Sequence, residues 1–304
     1  MKDICLSCNS EKIISKNSFK NIKLVSSDTL PINYKFAKIN ICAECGLIQK
    51  KISHTYLKNI SKIYNNYKTF HQEKKKIGQS IFDSKGISLS RSQIIFDYLF
   101  SKIKTNYKKF NILDYGCGSG INMIHLRKFI NKKNIFGYEK FVRKSTIIEK
   151  YLLNKIYDDK IFKKNFKFDL IVSIFILEHV LDPKDYFLKI SNLLSDKGLL
   201  LLQVPDIDNN PYDFAIYDHT FHFSLETLKK ILQENNFKIV YISNRVVRKE
   251  ITCIAIKNNH KISYKVNQQS EKSKKIVKNA HKFLLSNLNL FNRIIKKNKK
   301  IIIF

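Results

Sequence analysis

Residues 111–120 read NILDYGCGSG and lead directly into the helical pattern INMIHLRKFI. Apolar residues precede Asp114, and glycines follow it at every second position: Gly116, Gly118 and Gly120. This pattern predicts a β-strand that breaks into a glycine turn and opens a helix. Glycine lets a ligand approach the backbone closely, and the amides at the start of a helix favour an anionic group. We therefore expect a nucleotide-type cofactor at this turn.

The spacing of the glycines indicates which cofactor binds. The dinucleotide fingerprint is G-x-G-x-x-G, whereas this turn reads D-x-G-x-G-x-G, with a carboxylate where a pyrophosphate would be repelled. A cofactor that carries an ammonium group fits better beside Asp114. A second acid, Glu139, ends the apolar segment NIFGYE nineteen residues after Gly120, where it can accept hydrogen bonds from ribose hydroxyls.

These residues resemble motif I and the following acidic position of class I S-adenosylmethionine (SAM) methyltransferases. The resemblance implies that SAM binds at the glycine turn and at Glu139. The later segment FDLIVSIFILEHV, with Asp169 at the start of its strand and Glu178 and His179 near its end, resembles the same family.

Apolar segments alternate with helical ones from residue 111 onward. NILDYG, IFGYE, NKIYDD, FDLIVSIF and GLLLLQVP predict five strands of a Rossmann-like, doubly wound α/β sheet, and YISNRVVRKEITCIAIKNN predicts a closing antiparallel pair. Continuously apolar strands indicate a parallel sheet that is covered by helices. Ligands of such sheets bind at the carboxyl ends of the strands. Asp158 and Ser173 are therefore further candidates for the cofactor crevice, together with the segment that runs on to His179.

Four cysteines form two C-x-x-C pairs, Cys5 with Cys8 and Cys42 with Cys45. Four thiolates in two such turns predict a closed, tetrahedral, structural zinc site. The segments NIKLVSS and YKFAKINIC are expected to form a hairpin between the pairs. A redox C-x-x-C motif and unrelated surface thiols remain the alternatives.

A helical pattern runs from His54 to about Ser101. Related methyltransferases carry a helical lid at this place, so Tyr64, Tyr67 and Phe70 are candidates for the wall of the cleft; core packing is the alternative. A lysine-rich helical stretch covers residues 265–298, with an apolar face that includes Ala280, Phe283 and Leu284. The final IIIF is read as the remnant of a lost second domain, as an edge strand or as a tail.

The segment YDHTFHFS resembles the E-H-x-x-x-F-S motif of the zinc-containing sugar C-methyltransferases. The resemblance implies that Asp218 stands for the acid and His219 for the catalytic base. The tyrosine that this branch carries two positions before the acid is Ile216 here, and Tyr217 is displaced by one position. The catalytic candidates are therefore His219, Asp218, His179 and Tyr217, with Asp218 or Glu178 orienting His219; local architecture is the alternative role for His179.

The formal net charge is +31, from 56 basic and 25 acidic residues, but only six of the basic residues are arginine. Recognition of nucleic acid favours the arginine fork, so we attribute most of the charge to a genome-wide drift toward A/T-rich codons, which favours lysine, and do not expect a nucleic-acid substrate. No leader peptide and no apolar run of membrane-spanning length is visible, which predicts a cytoplasmic protein.

The expected organisation is a zinc-binding module in residues 1–56, a helical lid in 57–103, a SAM-binding domain in 104–259 and a C-terminal helix with an apolar end in 260–304. The expected function is methyl transfer from SAM to oxygen or carbon of a small acceptor, namely a sugar nucleotide or a surface-polysaccharide precursor. The alternatives are an RNA or protein methyltransferase that uses the basic surface, and a non-catalytic module that only binds SAM.

Overall fold

The computed structural model of the chain describes residues 3–16, 19, 22–28, 30–67, 80–82, 88–140, 156–258 and 269–287. The N-terminal part of these residues forms short antiparallel strands around the paired cysteines. The bounds are β1 (Ile13–Lys16), β2 (Leu24–Val25), β3 (Pro31–Ile32), β4 (Ile39–Cys42) and β5 (Ile48–Lys50).

The pairing of these strands differs from the predicted hairpin. β4 pairs with β1 and β5, while β2 pairs with β3, so NIKLVSS and YKFAKINIC do not pair with each other. The predicted pairing was wrong because β3 lies between the two segments. β3 pairs with β2 across a shorter loop, which costs less conformational entropy to close.

Two helices follow, with a small hairpin between them. The bounds are α1 (His54–Asn65), β6 (Ser80–Phe82), β7 (Ser88–Ser90) and α2 (Arg91–Lys102). The helices at both ends of the predicted helical region are confirmed, but β6 and β7 pair as antiparallel strands within it. Polar and apolar residues alternate in Ser88–Ser90, which is the period of a strand and not of a helix. Phe70 lies outside the described residues.

A seven-stranded sheet forms the centre of the protein. Its strands are β8 (Ile112–Tyr115), β9 (Ile135–Tyr138), β10 (Ile156–Tyr157), β11 (Phe168–Ile174), β12 (Leu194–Pro205), β14 (Phe237–Ser243) and β15 (Glu250–Lys257). They lie in the order β10-β9-β8-β11-β12-β15-β14. The first five are parallel, and β15 pairs antiparallel with both β12 and β14. The predicted doubly wound α/β fold is confirmed, including the short third strand and the closing antiparallel pair.

Helices cover both faces of this sheet. The remaining bounds are α3 (Ile121–Leu126), α4 (Pro183–Leu193), α5 (Leu225–Glu234) and α6 (Gln269–Ser286). Successive strand residues point to opposite faces, so Leu113 shares a buried cluster with Phe187 of α4 while Ile112 shares another with Phe96 of α2. Burial of each such side chain contributes about 1.5–3 kcal/mol to folding. Strands that are apolar along their whole length therefore predict a sheet with helices packed on both faces.

Helix ends follow their local sequence. Ser224 caps α5 in a capping box with Thr227. Within α6, Ala280 and Leu284 are buried as expected, whereas Phe283 is exposed. Residues 288–304, including the terminal IIIF, lie outside the described residues. Among the helices that the structure describes, none has both the length and the apolar character needed to cross a membrane.

Candidate functional site

The glycine turn follows β8 at the carboxyl edge of the sheet. Gly116, Gly118 and Gly120 all adopt positive φ angles, and Gly120 stands at the start of α3. A Cβ atom on Gly116 would lie 2.1 Å from Cδ1 of Ile176, so no larger residue fits without displacing that side chain. Because Ile176 directly precedes the 3-10 turn Leu177–His179, the glycine turn and the end of β11 are in contact.

Asp114 is the penultimate residue of β8, directly before this turn, and it is almost completely buried. One carboxylate oxygen accepts a long hydrogen bond of 3.4 Å from Nδ2 of Asn122, and the other has no partner among the described residues. Burial raises the pKa of Asp114 to about 7, although the hydrogen bond from Asn122 opposes the shift. A buried acceptor without a donor suits a ligand that brings its own positive donor, such as an ammonium group.

Glu139 follows β9, the strand next to β8. Its Oε2 atom accepts a hydrogen bond of 3.0 Å from the backbone N–H of Gly118. The carboxylates of Asp114 and Glu139 therefore flank the same glycine turn, which is the arrangement that the sequence led us to expect.

The other two predicted cofactor residues lie differently. Asp158 follows β10 at the same edge, but its Oδ1 atom accepts from the N–H of Lys160 and caps the 3-10 turn Asp159–Lys163. Ser173 lies inside β11, where its buried hydroxyl accepts a hydrogen bond of 2.7 Å from the hydroxyl of Tyr186. The Ser173 hydroxyl is thus engaged within the core.

Two histidines meet at the ends of β11 and β12. The rings of His179 and His219 lie perpendicular, with 4.6 Å between their centroids. Nδ1 of His179 lies 3.1 Å from the carbonyl oxygen of Asp218 and 3.3 Å from the hydroxyl of Tyr64, a residue of α1. Burial lowers the pKa of His179 to about 4, so this imidazole is neutral near neutral pH.

A carboxylate that the sequence did not single out holds His219. Asp213, in the 3-10 turn Pro211–Ala215, places Oδ1 2.6 Å from Nδ1 of His219 and pairs through Oδ2 with Nδ1 of His222. Burial alone would raise the pKa of Asp213, but the two imidazole partners lower it far below its usual range. The ionised Asp213 therefore orients both histidines, in the role expected of Asp218 or Glu178.

Asp218 and Tyr217 contact the N-terminal part of the protein. The carboxylate of Asp218 accepts from the N–H of Ser27 at 2.8 Å and from its hydroxyl at 2.5 Å. The hydroxyl of Tyr217 accepts from Nδ2 of Asn59. Its ring packs against Tyr56, so the tyrosine that reaches His179 is Tyr64 and not Tyr217.

Lys50, the last residue of β5, is hydrogen-bonded to the loop that carries Tyr217, Asp218 and His219. Its buried Nζ atom donates to the carbonyl oxygens of Ile216 and Tyr217. Its backbone N–H donates to the carbonyl oxygen of Thr220 at 2.8 Å. β5 also pairs with β13 (Phe221–His222). The segment that carries His219 is thereby built into the N-terminal sheet.

Glu178 lies beside the two histidines and is completely buried. Neither of its carboxylate oxygens has a hydrogen-bond partner in the part of the chain that the structure describes. Burial raises the pKa of Glu178 well above its usual range. One ligand atom each from Glu178, His179 and His219 lie within 4.8 Å of one another.

The four paired cysteines converge as their spacing predicts. Sγ of Cys5 lies 3.4 Å from that of Cys45, and Sγ of Cys8 lies 3.5 Å from that of Cys42; all four sulfurs lie within 4.8 Å of one another. A tetrahedral ion with Zn–S bonds of about 2.3 Å needs sulfurs a little under 4 Å apart. These cysteines, all in described residues, form no disulfide. A Cβ on the following Gly46 would lie 2.5 Å from Gln269 of α6, which explains glycine at this knuckle.

Comparisons with known proteins agree with this architecture. A family model described as a methyltransferase domain matches residues 56–242, which is more than half of the chain. A search of curated proteins finds no match.

Among solved structures, an S-adenosylmethionine-dependent methyltransferase from Clostridium acetobutylicum is 15% identical, with 55% of this chain and 92% of that chain covered and a TM-score of 0.44. One from Mesorhizobium loti is 14% identical, with 54% and 98% covered and a TM-score of 0.44. With more than half of its length matched by the family model, the chain belongs to the methyltransferase-domain family, and its sheet has the Rossmann-like order of a class I methyltransferase domain.

Proposed function

We propose that this methyltransferase acts on an oxygen or carbon atom of a small, sugar-linked acceptor, namely a sugar nucleotide or a surface-polysaccharide precursor. The observation that carries the proposal is the junction of His179 and His219 beside the glycine turn, at the carboxyl edge where such sheets bind their ligands. The resemblance of the segment from Asp218 to Ser224 to the sugar C-methyltransferase motif supports the acceptor class.

His219 is the general base of this proposal. Its Nδ1 atom is held by Asp213, which fixes the ring and leaves Nε2 as the nitrogen that can take a proton from the acceptor. Bound SAM supplies an electrophilic methyl group. Asp218 and Tyr217, two of the other catalytic candidates, act as positioning residues, because their side chains are hydrogen-bonded to Ser27 and Asn59.

The residues proposed to hold SAM are Asp114, Glu139 and the glycines between them. The unpartnered buried oxygen of Asp114 accepts the ammonium group, and Glu139 accepts hydrogen bonds from the ribose. Asp158 is proposed to lie near the adenine of SAM, because it directly follows β10, which pairs with β9.

Residues 1–56 are proposed to be a zinc-binding module with one zinc ion on Cys5, Cys8, Cys42 and Cys45. Two of the sulfur separations, 3.4 and 3.5 Å, are close to the value that a tetrahedral zinc ion needs, and all four sulfurs lie within 4.8 Å of one another. Four thiolates leave no open position, so this zinc stabilises the fold. Through β5 and Lys50, the module also fixes the position of the loop that carries His219.

Substitution of His219 tests the function. A panel of sugar nucleotides is screened for methyl transfer, and His219→Gln is then compared with His54→Gln, a matched change at an exposed histidine on α1. A positioned base contributes about 10²–10⁴-fold in rate, so His219→Gln should lose that much activity. Affinity for S-adenosylhomocysteine should stay nearly unchanged in both variants. Full activity of His219→Gln would refute the base, and transfer to RNA or protein in preference to every sugar-linked acceptor would refute the acceptor class.

A further inference from the structure

The cluster of Glu178, His179 and His219 has the composition of a metal site that is separate from the four cysteines. Two imidazoles and one carboxylate form the ligand set of many mononuclear divalent-metal centres with open positions. Their ligand atoms lie within 4.8 Å of one another. Bonds of about 2.0–2.2 Å bring ligands about 3–4 Å apart, so binding requires only a modest closing of three side chains.

Each histidine is already oriented as a metal ligand is. Nδ1 of His219 faces the carboxylate of Asp213, and Nδ1 of His179 lies 3.1 Å from the carbonyl oxygen of Asp218 and 3.5 Å from its Oδ2 atom. Metal-binding histidines characteristically direct one nitrogen at a carboxylate or carbonyl and the other at the ion. Nε2 of both histidines is the nitrogen left for a cation.

The carboxylate of Glu178 is an independent observation that points to a ligand. A buried carboxylate normally finds hydrogen-bond donors, because burial without them is costly. Both oxygens of Glu178 are buried and have no partner among the described residues. A divalent cation between Glu178 and the two imidazoles satisfies this group directly.

We propose that Glu178, His179 and His219 bind one divalent cation, whose open positions take oxygen atoms of the acceptor. The ligand set favours Mn²⁺, Fe²⁺, Co²⁺ or Zn²⁺, and an acceptor with adjacent oxygens can chelate the ion.

This inference rests on the proposed function and changes the role of His219 within it, from general base to metal ligand. With the cation bound, Nε2 of His219 is a ligand, and the ion lowers the pKa of the acceptor hydroxyl so that its proton passes to solvent. The acceptor oxygen then forms a bond to the methyl carbon. The bond from that carbon to sulfur breaks, and its electron pair stays on sulfur as the neutral thioether. The refined step is therefore O-methylation.

The test uses the full-length protein with one equivalent of zinc per chain, verified by metal analysis, so that the thiolates hold the zinc and the second site is open. Mn²⁺ alone is then added, and the free ion is followed by electron paramagnetic resonance. Thiolates select zinc over the harder Mn²⁺, so the cysteine site does not compete. We expect one Mn²⁺ to bind per chain. Glu178→Gln should abolish this binding, and Asp213→Asn should weaken it about 10–100-fold, the usual effect of losing a partner of a ligating histidine.

The control is His125→Gln, a buried histidine of α3 outside the cluster, which should bind Mn²⁺ like the wild type. If Glu178→Gln fails to fold, as judged by thermal unfolding, His179→Gln takes its place because His179 is partly exposed. Absence of Mn²⁺ binding to the wild type, or undiminished binding to a folded ligand variant, overturns the cation site. Either result leaves His219 as the general base, whereas full activity of His219→Gln removes the proposed function itself.

Discussion

Replacement of Glu139 by alanine should weaken the binding of SAM and of S-adenosylhomocysteine. The carboxylate stands at the end of β9 and accepts a hydrogen bond of 3.0 Å from the N–H of Gly118, so it lies against the glycine turn. From this position it can also accept hydrogen bonds from ribose hydroxyls.

The magnitude follows from the number of hydrogen bonds that change. A hydrogen bond to a charged acceptor contributes about 1.5–3 kcal/mol. In the free enzyme the carboxylate of Glu139 already accepts a hydrogen bond from Gly118. The net loss should therefore be one such bond or somewhat less, about 1–3 kcal/mol. Since about 1.4 kcal/mol corresponds to a tenfold change, affinity should fall roughly 5- to 150-fold.

Isothermal titration calorimetry with S-adenosylhomocysteine measures this change. Glu139→Gln is the matched control, because its amide oxygen can still accept from Gly118 but carries no charge. If Glu139 only held the glycine turn, the glutamine variant would bind like the wild type, whereas ribose binding predicts that it remains weakened. Unchanged affinity of Glu139→Ala would remove Glu139 from the cofactor site.

Three other predictions concern the zinc module, the core and the charge. Cys42→Ser should lose the bound zinc, measured by metal analysis, and should also slow methyl transfer, because β5 and Lys50 hold the loop of His219; retained zinc would contradict the thiolate site. Arg91→Ala should lower the free energy of unfolding by about 3–5 kcal/mol in a denaturant titration, because it leaves the carboxylate of Glu250, 2.9 Å away, buried without its cation; a loss below 1 kcal/mol would contradict this. RNA should bind weakly and lose affinity steeply with salt, since lysine-rich surfaces attract phosphates without reading bases; tight, sequence-selective binding at physiological salt would favour the RNA alternative.

Local patterns in the sequence determined the strands of the sheet, the glycine turn, the cap of α5 and the pairing of two thiols within each C-x-x-C turn. Each of these depends on neighbours within a few residues: a run of apolar side chains that is buried as a strand, glycines that reach positive φ, or two thiols on one turn. The positions of Asp114 and Glu139 at one edge also followed, because parallel strands place their carboxyl ends together.

The tertiary structure alone decided how the histidines are held. Asp213 reaches His219 because the 3-10 turn Pro211–Ala215 folds back, and no spacing in the sequence marks that carboxylate. Tyr64 reaches His179 from α1, and Lys50 reaches the loop that carries His219 from β5, over separations of more than a hundred residues. Hydrophobic periodicity in the sequence indicates only which face of a helix or strand is buried. The partner on that face is selected by how the layers pack, so these contacts exist only in the folded chain.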